Sequence, residues 1–154
     1  MQPVVEHVSA KTVVGMSLRT NNIRESNPDT ASIPTMWKNF FEYNVMAAIP
    51  KQIDPTTVYG VYSDYESDSM GDYELLIGLQ SAATEKPANL SLVRIKEGDY
   101  LVFKVLEPSP VGIKDTWAGI EGYFEVAGEY ERAYTTDFEI YQGRSDISIY
   151  ISIK

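Results

Sequence analysis

"YTTDFEIYQGRSDISIYISIK", Tyr134–Lys154, closes a chain of 154 residues, and the reading of the whole fold turns on it. Its second part alternates without a break: Ile147, Ile149, Ile151 and Ile153 interleave with Ser148, Tyr150 and Ser152. Side chains two apart share one face of a strand, so the isoleucines form one face and the serines and Tyr150 the other. Four isoleucines require a dry core. "DFEIY", just before, reads as the partner strand of a hairpin turned at "GRSD". Within it Phe138 and Ile140 are expected on the isoleucine face, which sends Glu139 and Tyr141 the opposite way, alongside Tyr150. That second face is then either solvated sheet surface or the wall of a cavity.

Working outward, the same order of elements occurs twice. "KTVVGMSLRT", Lys11–Thr20, is a β-branched strand, and "NNIRESNPDTAS" is a loop rich in Asn, Ser and Asp. Ser32 suits an N-cap and Pro34 a first helical turn. The following "IPTMWKNFFEYNVMAAI" places Ile33, Trp37, Phe41 and Val45 on one stripe, which predicts a helix ended by Pro50. "TTVYGVYSDYE" and "DYELLIGLQSA" then form a strand pair around "SDSMG". In the second passage "DYLVFKVLE" is the strand, "PSPVG" the loop, and "IKDTWAGIEGYFEVA" a helix with Trp117, Ile120 and Phe124 on one face. The final hairpin completes it, and "LSLVRIKEG" is an extra strand or linker between the two.

The expectation is one α+β domain spanning 1–154, a pseudo-two-fold duplication of a strand-helix-strand-strand unit with half-repeats at 11–82 and 90–154. The counterparts of Glu139 and Tyr141 in the first half are Gly60 and Tyr62, with Leu76 and Gly78 expected on the neighbouring strand of that face. Tyr59 and Tyr73 fall at core-facing positions.

Composition narrows the function. Hydrophobic residues make up 44 % of the chain, enough for a packed core. With no cysteine, no apolar run of membrane-spanning length and no basic-then-apolar start, a soluble protein of a reducing compartment, the cytoplasm, is the default. The net charge of −9, without a Lys/Arg cluster or helix-turn-helix signal, argues against direct nucleic-acid binding and mildly favours cationic ligands. The single histidine, His7, belongs to a short N-terminal segment or first strand. It excludes a Ser-His-Asp arrangement, and no metal or other cofactor is expected. Haem has no ordinary ligand other than His7. There is no phosphate-binding loop or dinucleotide fingerprint. "SDYESDSMGD" is a solvated turn, its spacing unlike an EF-hand.

Taken in order, "TNN…IPTMWKNFF…VYGVYSDYES…GDYELLIGLQ" and "TWAGIEGYF…YTTDFEIYQG…DISIYISIK" resemble the bacterial effector-binding domain, the gyrase-inhibitor-like ligand module of AraC-type and MerR-type multidrug regulators. The likeness runs from Lys11 to Lys154 and is nearest in flavour to stand-alone members carried on integron cassettes. It implies a sheet enclosing a ligand pocket with helices outside. It also implies that the glutamate of "FE-x-Y", here Glu139, projects into the pocket and pairs with cationic lipophilic molecules. Tyr141 and Tyr150 match aromatic pocket positions. Tyr62 joins them as the first-half counterpart, and Trp37 and Trp117 stand in the family's helix motifs.

The function implied is a non-enzymatic binding module for cationic amphipathic molecules that sequesters them or serves as the sensor of a regulator protein. A second copy of the chain is a further candidate partner. Two alternatives use the same features: a hydrolase of strained-ring genotoxins, with Glu139 as acid or base aided by Tyr141 or Tyr150, and a protein-binding regulator acting through the acidic surface.

Overall fold

The closing hairpin consists of β7 (Asp137–Gln142) and β8 (Asp146–Ser152), and its register pairs Glu139 with Ile149, Tyr141 with Ile147, and Phe138 with Tyr150. Directly paired residues of antiparallel strands share a face. Glu139 and Tyr141 therefore lie on the isoleucine face, and Tyr150 lies on the other, stacked on Phe138 at 4.5 Å between ring centroids. This reverses the expected facing. Alternation fixes the faces within a strand, but only the turn length fixes parity across a hairpin. Because Gln142 pairs with Asp146, three residues intervene. Gly143, at φ 73°, supplies the left-handed backbone that begins the turn.

The computed structural model describes residues 2–126, 128–143 and 145–154. Around the hairpin are β1 (Val4–Val8), β2 (Lys11–Thr20), β3 (Thr57–Ser63), β4 (Tyr73–Gln80), β5 (Ser91–Ile95) and β6 (Gly98–Lys104). All eight form one antiparallel sheet in the order β1-β6-β8-β7-β3-β4-β2-β5, curled into a half-barrel. The helices are α1 (Asn22–Ser26), α2 (Ile33–Glu42), α3 (Val45–Ala48) and α4 (Pro110–Val126). The duplicated unit is thus β2–α2–β3–β4 and β6–α4–β7–β8, meeting where β3 pairs with β7. "LSLVRIKEG" contributes β5 at one sheet edge, and His7 lies exposed on β1 at the other.

Each sheet face has its own core. The outer face lies under the helices. There Met36 and Phe40 of α2 meet Tyr73, Leu75 and Ile77, while Ile120 of α4 meets Leu101, Phe103, Ile149 and Ile151. Inside the curl, Val13, Tyr59, Val61, Leu76, Tyr100 and Phe138 form a second core, with Tyr150 against it. The β3–β4 register puts Leu75 and Ile77, not Leu76 and Gly78, on the face of Gly60 and Tyr62. The parity of that hairpin, too, was open in the sequence.

Curling the sheet brings β2 and β4 very close at Gly15 and Gly78, which pair directly. A Cβ on Gly15 would lie 1.9 Å from the Ile77 carbonyl oxygen, against backbone that cannot move aside. Gly15→Ala is expected to cost about 1–3 kcal/mol, the usual range for overpacking a close-packed interior. Urea unfolding checks this; a midpoint equal to wild type would show that the strands are further apart than described.

The first long helix departs from its sequence reading. Its N-terminus is capped not by the Ser32 side chain but by Glu25, whose Oε1 accepts from the backbone N–H groups of Ser32 and Ile33, both at 3.0 Å. It does not run on to Pro50. Asn44 takes the left-handed conformation at φ 50°, which breaks the helix and begins α3. The buried stripe is Met36 and Phe40, flanked by Ile33 and Trp37, and Phe41 is 58 % exposed.

Candidate functional site

The β3–β7 junction is built about a pseudo-dyad. Gly60 pairs with Glu139, Val58 with Tyr141, and Tyr62 with Asp137, so the register is symmetric about the Gly60–Glu139 pair. Rotation about that axis exchanges Tyr62 with Tyr141 and places a single carboxylate at the centre. Gly60 makes this possible. A Cβ there would approach Glu139 Oε1 to 3.0 Å and Trp37 Cζ2 to 3.7 Å.

Glu139 is 3 % exposed. Trp117 Nε1 donates to its Oε2 at 2.7 Å, Tyr62 Oη to Oε2 at 3.2 Å, and Tyr141 Oη to Oε1 at 2.8 Å. No basic side chain pairs with it among the described residues. Trp117 packs edge-on to Tyr62 at 5.2 Å and 67°, and Trp37 packs edge-on to Tyr141 at 4.9 Å and 64°. Tyr73, 5.3 Å from Tyr62, extends the cluster. Each helix thus lays one tryptophan against the tyrosine of the opposite half.

Burial pushes the Glu139 carboxyl above the usual range, and the hydrogen bonds from Trp117, Tyr141 and Tyr62 offset this only in part. Burial first, and the neighbouring Glu139 second, push the Tyr62 and Tyr141 hydroxyls well above the ordinary phenol value. They remain O–H donors through the physiological range. The arrangement is a buried carboxyl with three hydrogen-bond donors and, among the described residues, no basic partner, walled by four aromatic rings.

Of the six residues singled out in the sequence, Glu139, Tyr141, Tyr62, Trp37 and Trp117 come together here. Tyr150 does not: it belongs to the inner-face core, on Phe138 and Tyr100. Tyr73 is buried as expected, but its edge contact makes it part of the outer wall. A surface cleft of about 530 Å³ is lined by Pro3, Phe103, Leu106 and Asp115 rather than by Glu139. Among the described residues no helix is long and apolar enough to cross a membrane.

A second buried acid, Asp137, went unnoticed in the sequence. It is fully enclosed and accepts from Arg132 Nη2 at 2.7 Å, from Tyr65 Oη, and from the Ser152 backbone N–H at 2.8 Å. Its position two before Glu139 was the available signal: both must share a face, and an enclosed acid needs a partner.

Fold and site together define a duplicated strand-helix-strand-strand domain of the effector-binding class. The chain belongs to the family of integron-associated effector binding proteins, whose profile matches residues 5–153. An integron cassette protein from the mobile metagenome of Vibrio cholerae is 31 % identical, with a TM-score of 0.84 over 99 % of this chain and 95 % of its own. A protein solved with tetraphenylphosphonium bound is 17 % identical, with a TM-score of 0.79 over 100 % of this chain and 94 % of its own. A hydrolase from Listeria innocua is 10 % identical, with a TM-score of 0.53 over 99 % of this chain and 92 % of its own. The last two likenesses establish the fold alone. No curated protein sequence matches.

Proposed function

We propose that this chain binds cationic amphipathic small molecules at Glu139 in the cytoplasm, sequestering them or reporting them to a partner regulator. The observation that carries this reading is an enclosed carboxylate with three hydrogen-bond donors and no positive partner among the described residues. Such a charge is costly to keep in an apolar interior unless a counter-ion arrives. Asp137 on the same face shows the alternative, an acid supplied with its own arginine. Glu139 has none among the described residues, and a lipophilic cation supplies the positive charge from outside. The rings of Tyr62, Tyr141, Trp37 and Trp117 offer faces and edges to the apolar body of such a ligand, each cation–π contact contributing about 0.5–2 kcal/mol. Contacts of that kind are tolerant of shape, which suits a family of ligands rather than one. The tetraphenylphosphonium held by a protein of the same fold supports this ligand chemistry.

Because the rings and donors now fill the space around the carboxylate, a ligand reaches it only by displacing some of them. Trp117 and Trp37, carried on separate helices, are the groups that can withdraw without unpairing the sheet.

The reading has a pH signature. A cation selects the ionised carboxylate, and the free protein holds Glu139 with a raised pKa. Affinity should be constant above that pKa and fall about tenfold per pH unit below it. The tyrosines that face Glu139, Tyr62 from β3, Tyr73 from β4 and Tyr141, are all shifted upward and so silent in this window. Calorimetric titration with tetraphenylphosphonium across acidic to neutral pH measures it. Affinity that does not change down to the ordinary glutamate range would remove Glu139 from the binding reaction.

A further inference from the structure

We infer that the free edge of β1 and the cleft beside it form a docking site for an extended segment of a partner protein, one that alternates apolar and basic residues and adds to the sheet as a further strand. This does not rest on the binding of cations at Glu139. β1 stands at one end of the strand order and is bonded to β6 alone, so its outer row of N–H and C=O groups is open to a further strand. Its apolar outer face is open as well, and the duplication shows that this is a departure. Counting out from the Gly60–Glu139 pair through β8, β6 and β1 reaches Val5, and through β4, β2 and β5 reaches Leu92 at the matching place. Leu92 is covered: it packs on the cluster of Val14, Ile49, Leu79 and Ala83, together with Met46 of α3. The second half has no counterpart of α3 among the described residues, and Val5 is 46 % exposed. The first half also inserts α1 between β2 and α2, whereas only residues 105–109 join β6 to α4. The cleft of about 530 Å³ lies at that shortened join, between the start of β1 and the first turns of α4, and its lining includes Pro3, Phe103 and Leu106, the last 90 % exposed. One apolar sheet face is therefore sealed by its own chain, and its counterpart is bare.

Charge selects the occupant. Glu6 of β1, and Glu107 and Asp115 at the cleft, are exposed, and none has a basic partner among the described residues. Lys104, which also lines the cleft, is held by Asp146. His7 turns back onto Glu97 and Asp99 and leaves the free edge to Val4, Val5 and Glu6. The surface is thus apolar with an acidic surround. A second copy of the chain would bring that surround against itself, and two β1 strands paired about their middle would set Glu6 opposite Glu6, a destabilising like-charge pair. The complement is a strand whose outer-face residues are apolar, continuing the row of Pro3 and Val5, and whose alternate residues are lysine or arginine.

The probe is a fluorescein-labelled heptapeptide of alternating lysine and leucine with lysine at both ends, followed by fluorescence anisotropy and by hydrogen exchange of the protein. One control replaces its lysines by glutamate. Another is N-methylated throughout, which keeps charge and side chains but removes the backbone donors that strand addition needs. The lysine–leucine peptide should bind and slow exchange of the β1 amides, the glutamate peptide should not bind, and N-methylation should weaken binding about tenfold. Val5→Asn combined with Leu106→Asn should also weaken it about tenfold, through lost apolar contact at unchanged protein charge. Glu107→Gln combined with Asp115→Asn should weaken it about threefold and flatten its salt dependence. Val126→Asn, at an exposed position on the far end of α4, should leave it unchanged. Absence of binding would overturn the inference. Binding that survives N-methylation, or both double variants, or that leaves β1 exchange unaltered would do the same, because it would be no more than attraction between a basic peptide and an acidic protein. Self-association in analytical ultracentrifugation that Val5→Asn with Leu106→Asn abolishes would give the surface to a second copy and overturn it too. None of these substitutions touches Glu139, and tetraphenylphosphonium titration of the same variants reads the cation site separately, so failure here leaves cation binding standing.

Discussion

Glu139→Gln is expected to weaken tetraphenylphosphonium binding by about two orders of magnitude, the scale set by removing one partner of a buried charge pair. The protein should meanwhile remain folded, with a midpoint at neutral pH no lower than wild type. Both halves of this expectation come from the same geometry. Glutamine keeps the shape of the side chain. Its carbonyl oxygen can accept from Trp117 and Tyr62, and its amide can donate to the Tyr141 hydroxyl oxygen, so the hydrogen bonds now made to the carboxylate have replacements. What the substitution removes is charge, which binding needs and the empty fold does not.

The sign of the stability effect follows from linkage. Glu139 has a folded-state pKa above its unfolded value, so its contribution is fully present below the unfolded pKa and is lost as pH rises through the folded one. At neutral pH wild type carries this loss and the glutamine variant does not. Thermal unfolding at neutral and mildly acidic pH should therefore show the variant gaining on wild type as pH rises. If the variant binds the cation unchanged, the charge pairing is wrong. If it is markedly less stable at neutral pH, Glu139 is a structural acid, and its burial says nothing about ligands.

How much of this could be read from the sequence depends on which physical constraint each feature obeys. Strand periodicity is local, so the strands were legible and so was the duplication. Glu139 and Tyr141 share a face with Gly60 and Tyr62 because β3 and β7 pair symmetrically, and the overlay of "VYGVY" on "DFEIY" foreshadowed that match. Which core lay beneath that face was not legible. Glu139 shares its face with Ile149 because three residues, not two or four, separate the paired ends of the hairpin. Tyr150 went to the wrong face by the same parity. The break at Asn44 was hidden because a left-handed asparagine leaves the apolar spacing on both sides intact. The Glu25 cap joins residues seven and eight apart through a loop, which no short motif encodes. The tryptophans read as core and are half that: each packs on its helix neighbours and turns its ring to the dyad.

Arg132→Met should be among the most destabilising single substitutions in the chain, at about 3–5 kcal/mol, the cost of leaving a buried ion pair with one member. Asp137 is fully enclosed, and its four hydrogen bonds tie three segments together. Arg132 precedes β7, Tyr65 follows β3, and Ser152 ends β8, donating through both its backbone N–H and its hydroxyl. Removing the guanidinium leaves those other donors but strands a net negative charge two residues from Glu139, on the same face. Two uncompensated acids would then share one apolar interior, so ligand affinity should change along with stability. Asp137→Asn has the complementary fault. Arg132 would stay buried, its Nε already lacking an acceptor among the described residues, facing a neutral amide instead of a carboxylate, with Glu121 at 3.6 Å as its remaining anionic partner and the ring of Tyr134 at 4.4 Å. The double variant, Arg132→Met with Asp137→Asn, removes both charges together and should lose less than the sum of the singles. The difference measures the coupling within the pair. Urea unfolding of the four proteins gives the cycle. An Arg132→Met cost below about 1 kcal/mol, the range of a solvated surface pair, would mean that water reaches this corner of the sheet. The contrast between a neutralised Asp137 and a waiting Glu139, on which the assignment of the binding site rests, would then be lost.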